Sequence, residues 1–142
     1  MHDEMLERLR VLDTERLDFK PYSGTPSIRQ IAVAQLALER QWIAGLAAGF
    51  DTEPARLGQY PDGETLAEGL AAQRVVTHRA LEPLTSAGLR AVRLVPADQG
   101  SGRAEANMPI AWIVWHVLER ERMAWGQILL RLDEHKAAHR DP

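Results

Sequence analysis

The chain has 142 residues, 45% of them hydrophobic, with no cysteine and a formal net charge of −3. That length suits one domain, 1–142, with a real core, and is too short for two comfortable ones. The small charge, the absence of any Lys/Arg-rich run and the missing cysteines argue against nucleic-acid or membrane-surface binding, and exclude disulfides, thiolate metal sites and cysteine nucleophiles.

The N-terminal stretch MHDEMLERLR is charged from the third residue and lacks an apolar signal region. No segment has the uninterrupted apolar length that spans a bilayer, so a soluble cytoplasmic protein is expected. The first predicted helix covers roughly Asp3 to Asp18, with Met5, Leu9 and Leu12 on one side. FKPYSGTP then punctuates the chain with Pro21, Gly24 and Pro26. The second helix opens at TPSIRQ, where Thr25 or Ser27 can cap it and Pro26 suits a first turn, and it runs to about Ala48. FDTEPARLGQYPDG is a long polar connection. The third helix runs from about Glu64 to Ser86, with Leu66, Leu70, Leu81 and Leu84 in a stripe. A second long connection follows, in which RAVRLV can be briefly extended. The fourth helix begins near Asn107 or Met108, with Pro109 in its first turn, and reaches about His135; KAAHRDP is a fraying tail. Long connections permit a crossover and a parallel helix pair, so the expected fold is all-α, a four-helix bundle that is not simply up-down-up-down.

Polar residues interrupt the apolar faces. On the second helix, Ile28, Ile31, Ala32, Leu36, Trp42, Ile43 and Leu46 share one face, and Gln35 and Glu39 project into its middle, one turn apart. On the fourth, Ile110, Ile113, Val114, Val117, Trp125, Ile128 and Leu132 form the face; Glu121 falls near its centre and Arg120 at its edge, beside Gln127 and His116. The third adds Gln73 and Thr77. A buried carboxylate is costly unless it is paired, metal-bound or protonated. Glu39 and Glu121 therefore either pair with Arg120 or Arg40 in a structural network, lie at the edge of the bundle, or line a polar pocket with Gln35, His116, Arg120 and Gln127 at the seam of the second and fourth helices.

The stretches ERLDFKP, PSIRQIAVAQLALERQWI and MPIAWIVWHVLERERMAWGQILLRL together resemble the DinB/YfiT-like family of bacterial four-helix bundles, and the resemblance covers most of the chain. It implies an up-down-down-up topology with long crossover connections, a homodimer, a link to DNA-damage and stress responses, and in many members a divalent metal held by three imidazoles. This chain departs from that pattern at each ligand position. The second-helix His is Gln35, although the following Glu is kept as Glu39. The fourth-helix Gly-Gln-Ile is kept as Gly126, Gln127 and Ile128, but the two ligand positions before it are Arg120 and Ala124. The family's neighbouring His is Met123 and its Arg before the Gly is Trp125, while His116 resembles an extra, non-ligating His one turn upstream. Gln is a poor neutral ligand, Ala is none, and a guanidinium repels a divalent ion. The implied protein has a degenerate, metal-free site and no cofactor, and acts as a ligand-binding or interaction module for a small molecule. In it Arg120 is expected to tie to Glu39 or Glu121, supplying the charge a metal would have supplied. The alternative is a metal- or thiol-dependent transferase or hydrolase using an unconventional site around His116, Glu39 and Glu121, although no intact catalytic constellation is present.

Other histidines read blandly. His135 and His139 have the i,i+4 spacing of a helical metal pair, but no third ligand lies nearby in sequence, so a solvated tail is expected. His78 reads as a surface residue and His2 as uninformative, while His116 reads as half-buried. Of the four tryptophans, Trp112 and Trp115 fall off the inner face, and their exposure would imply a partner surface. The Glu-x-x-His pairs of a two-metal carboxylate site are missing, as are a phosphate loop and a Ser/His/Asp elbow.

Overall fold

A computed structural model describes residues 1–140. The protein is mostly helical with one small sheet, in the order α1 (His2–Arg10), α2 (Thr14–Asp18), α3 (Ile28–Glu39) running into a π-helix (Arg40–Ala47), a 3₁₀ turn (Leu57–Gln59), α4 (Gly63–Leu81), α5 (Ser86–Arg90), β1 (Val92–Val95), β2 (Ala106–Pro109) and α6 (Ile110–Ala138). No helix among the described residues is long and apolar enough to cross a membrane.

The first predicted helix is two. Asp13 breaks it: its side chain accepts from the Arg16 amide and from the Arg16 guanidinium, so the chain restarts as α2. Such local side-chain capping competes with helix continuation. Ser27 is the cap of α3, in a reciprocal box with Gln30, and Pro26 lies before the cap rather than in the first turn. Thr25 instead donates to the carbonyl of Tyr22. Asp62 caps α4 in a second box with Thr65. Pro83 follows the end of α4, and the expected continuation to Ser86 is replaced by the separate turn α5, capped by Thr85. RAVRLV does supply a strand: β1 pairs antiparallel with β2, Val92 opposite Pro109 and Val95 opposite Ala106. Asn107 and Met108 are therefore extended, and α6 starts only at Ile110, with Pro109 as its cap. At the other end α6 takes in Lys136–Ala138, so the expected tail is helical there; Asp141 and Pro142 lie outside the described residues.

The π-helix is the largest departure from a regular pattern. Its wider turns show in the amide of Ala48, which donates to the carbonyl of Ile43 at 2.9 Å, five residues back. Widening delays each side chain around the axis, so Trp42, Ile43, Ala44 and Ala47 are all buried. It begins directly after Glu39.

Helix α3 packs on α6 and α4, and α4 packs on α1. The N-terminus of α4 sits tightly on the end of α1: a Cβ on Gly63 would overlap the Leu9 carbonyl oxygen and come within 3.0 Å of that of Leu12. Two apolar clusters result. One gathers Met5, Leu9, Leu17, Ile28, Leu36, Leu66, Leu70, Trp125 and Ile128. The other gathers Trp42, Ile43, Ala80, Val95, Ile113 and Val117. On each of three helices a buried polar residue falls in sequence between the two: Glu39 between Leu36 and Trp42, Gln73 and Thr77 between Leu70 and Ala80, and Glu121 between Val117 and Trp125.

Candidate functional site

Glu39 and Glu121 are almost fully buried, at 1% and 2% exposure. Their common partner is Arg74 of α4. Its Nε donates to Glu39 Oε1 at 2.9 Å, and its Nη2 reaches Glu39 Oε2 at 3.4 Å and Glu121 Oε2 at 2.8 Å. Thr77 Oγ1 donates to Glu39 Oε1 at 2.7 Å, and His2 Nδ1 lies 2.7 Å from Glu121 Oε1. Burial pushes the Glu121 carboxyl up, but the hydrogen bonds from His2 and Arg74, with the charge of Arg74, outweigh burial and hold it below the usual carboxylate range. Burial likewise works against the Arg74 charge, and the bonds and charges of Glu39 and then Glu121 overcome it, so the guanidinium is held above its ordinary value. One cation therefore clamps two buried carboxylates contributed by α3 and α6.

This corrects the expected pairing. Neither Arg120 nor Arg40 meets either carboxylate. Arg120 precedes Glu121 by one residue, about 100° around the helix, so it is exposed when Glu121 faces inward. It forms no ion pair among the described residues. Arg40 is drawn away by Gln73 Oε1 at 3.1 Å, the Glu53 carbonyl at 3.2 Å and the Tyr60 hydroxyl at 3.5 Å. His2, read as uninformative, is a partner of Glu121. Arg74 was missed because it neighbours the stripe residue Gln73; its place four residues after Leu70 and three before Thr77 was the available signal.

The residues of the single predicted pocket occupy three places. Gln35, Arg120 and Gln127 line a cavity of about 230 Å³ between α3 and α6, together with Gln30, Met123 and Ala124. Gln35 is buried and its Nε2 donates to the Val117 carbonyl at 3.4 Å. Glu39 and Glu121 belong to the Arg74 clamp. His116 lies in an aromatic cluster, its ring 4.6 Å from that of Trp42 and 5.0 Å from that of Trp112, with Arg103 over both indoles at 5.5 and 5.7 Å. Burial first, then the charges of Arg120 and Arg103, push its pKa below the ordinary imidazole value. No hydrogen bond joins His116 to Glu39 or Glu121 among the described residues, so the three candidate catalytic groups are not one constellation.

The C-terminal histidine pair is also not as expected. His135 is buried at 6% exposure, and Glu15 of α2 lies 3.2 Å from its Nε2 and 3.1 Å from that of His139. The third residue that sequence spacing could not supply comes from the other end of the chain. No protein-family model matches this chain, and no curated protein matches it.

Proposed function

We propose that this chain is a DinB/YfiT-like four-helix bundle whose cavity between α3 and α6 binds a small organic anion without a metal. The observation that carries the reading is the convergence of Gln35, Arg120 and Ala124 on one cavity. These are the positions to which the family resemblance assigns metal ligands, and they offer an amide, a guanidinium and a methyl group. Arg120 supplies charge at the mouth, Gln30, Gln35 and Gln127 supply amides, and Ile31, Leu38 and Met123 supply apolar wall. Arg74 pairs with both Glu39 and Glu121, Thr77 donates to Glu39 and His2 faces Glu121, so each carboxylate already has partners within the chain.

Chain directions support the up-down-down-up topology. Helices α3 and α4 both run from the first apolar cluster, through the buried polar residues, to the second, and α6 runs the reverse way. Helix α1 starts with His2 at Glu121 and ends beside Gly63, opposite in sense to α4. A homodimer is part of the proposal, as is a cytoplasmic, stress-associated role. Trp115, Leu118 and Leu130 are exposed along one side of α6, interleaved with Glu119, Arg122 and Asp133 and with open space at Gly126, and this mixed face is where a second copy would sit; light scattering on the purified chain measures this directly. The transferase alternative loses support because His116 is held among tryptophans rather than against a carboxylate.

The test uses a chain carrying His135→Ala and His139→Ala, incubated with zinc, nickel, iron and manganese, desalted, and analysed for metal by mass spectrometry. No retained metal is expected. Stoichiometric metal that is lost on further substitution of Gln35 or Glu39 would overturn the metal-free reading. Hexanoate titration followed by amide chemical shifts should then perturb residues around Gln35 and Gln127, with a weaker response in Arg120→Met.

A further inference from the structure

We infer that Glu15, His135 and His139 form a second, peripheral site for a divalent transition-metal ion, with zinc the best fit, that fastens α2 to the C-terminal turn of α6. The proposal is independent of the central cavity. One ring nitrogen of His135, one of His139 and a Glu15 carboxylate oxygen all lie within 4.8 Å of one another. Glu15 Oε1 is 3.2 Å from the first nitrogen and 3.1 Å from the second. Donors about 2.0–2.1 Å from a tetrahedral zinc lie about 3.3 Å apart, so these two edges are already close to coordination length.

The orientation of the rings carries the inference further than the spacing. His139 Nδ1 lies 2.8 Å from the carbonyl oxygen of His135, a contact in which only the nitrogen can donate. With its proton there, the neutral imidazole has a lone pair on Nε2, facing a carboxylate oxygen that also has only lone pairs to offer. Two acceptors at 3.1 Å need a cation between them, either a proton or a metal. A backbone carbonyl that fixes the outer nitrogen is the arrangement found behind metal-ligating imidazoles. Phe19 packs edge-on against both rings, with centroids 5.1 and 6.1 Å away, and the two imidazoles stack at 4.0 Å. The rings are nearly parallel, 20° apart, so they must turn about χ2 for both Nε2 lone pairs to meet one ion.

The chemistry suits a borderline cation. Two imidazoles and one carboxylate are ligands for zinc, nickel or copper, and oxygen-loving magnesium or calcium is disfavoured. Glu15 and His139 are exposed, so a water can complete the shell. The last turn of α6 presents the negative end of the helix dipole, which favours a cation there. The site joins segments 120 residues apart, so a bound ion would tie the two ends of the chain together.

The experiment begins with full-length protein stripped with EDTA and desalted. Zinc chloride is titrated in against a chromogenic chelator, and thermal unfolding is followed with zinc and with EDTA. One zinc per chain is expected, with a higher Tm in zinc than in EDTA. Glu15→Gln and His139→Ala alter exposed side chains, so both variants should fold, as circular dichroism will verify. Each should bind zinc at least about tenfold more weakly and lose the zinc-dependent rise in Tm. His78→Ala, on an exposed position of α4, should bind as the wild type does. Absence of zinc binding by the wild type would show that the cation between the rings and the carboxylate is only a proton, and would overturn the proposal. Binding unchanged in both Glu15→Gln and His139→Ala would also overturn it. Metal that then disappears on substituting Gln35 or Glu39 would instead count against the metal-free reading of the cavity, so the two failures are distinguishable.

Discussion

Replacing Arg74 by methionine removes the only cation among the described residues that reaches both central carboxylates. The substitution keeps most of the side-chain volume, so the loss is chiefly electrostatic. Two hydrogen bonds to Glu39, at 2.9 and 3.4 Å, and the 2.8 Å ion-pair contact with Glu121 disappear, and Glu39 and Glu121 are left 1% and 2% exposed. Thr77 still donates to Glu39 and His2 still faces Glu121, so neither carboxylate is wholly abandoned. Orphaning a buried ion-pair partner costs roughly 3–5 kcal/mol, a large part of the 5–15 kcal/mol that typically holds a domain. For a chain of this size that is a fall in Tm of about 10–15 °C. Chemical denaturation followed by tryptophan fluorescence and circular dichroism at pH 7.5 measures it. The triple variant Arg74→Met, Glu39→Gln, Glu121→Gln should recover much of the stability, because the uncompensated charges are gone. Arg120→Met, at an exposed position without an ion pair, should change stability by no more than about 0.5 kcal/mol. A loss of under about 1 kcal/mol in Arg74→Met, or an equal loss in Arg120→Met, would refute the assignment of Arg74 as the clamp.

Further outcomes follow from single groups. Because the folded Glu121 carboxyl is held below its unfolded value, its contribution is complete above the ordinary glutamate range and is lost as pH falls through the folded value; Glu121→Gln should show a shallower acid limb in a plot of stability against pH. His116 is shifted the same way but from a higher starting point: the unfolded imidazole takes up a proton first, so stability should begin to fall as pH drops below about 6.5, and His116→Phe should remove that part of the slope. Gly63→Ala should cost about 1–3 kcal/mol in a denaturant titration, since the new Cβ meets backbone carbonyls of Leu9 and Leu12 that cannot rotate away. Ser27→Ala removes one half of a capping box and should cost about 1 kcal/mol by the same measurement.

Much of the helical layout was legible as periodicity. The inward positions Gln35, Glu39, Gln73, Thr77 and Glu121 follow from a turn of 3.6 residues, and all five are buried. Local breaks were less legible. Asp13 looks like any acidic residue inside an amphipathic run until its side chain is seen to cap α2. The strand Ala106–Pro109 is only four residues long and is defined by its partner, not by its own pattern. No local propensity announces the π-helix after Glu39.

Periodicity assigns a residue to a face of its own helix, and that much the order of amino acids determined for Glu39 and Glu121. It also showed that both carboxylates would need a compensating group. Which group meets them depends on how far one helix is slid and rotated against another, and that is decided by packing of the whole chain. Arg120 was near in sequence and lies about 100° away on the helix surface, while Arg74 was remote and lies within 3 Å of both carboxylates. The same holds at the chain ends. His135 and His139 carry their spacing in the sequence, but Glu15, 120 residues away from His135, is brought to them only when α2 packs against the last turn of α6.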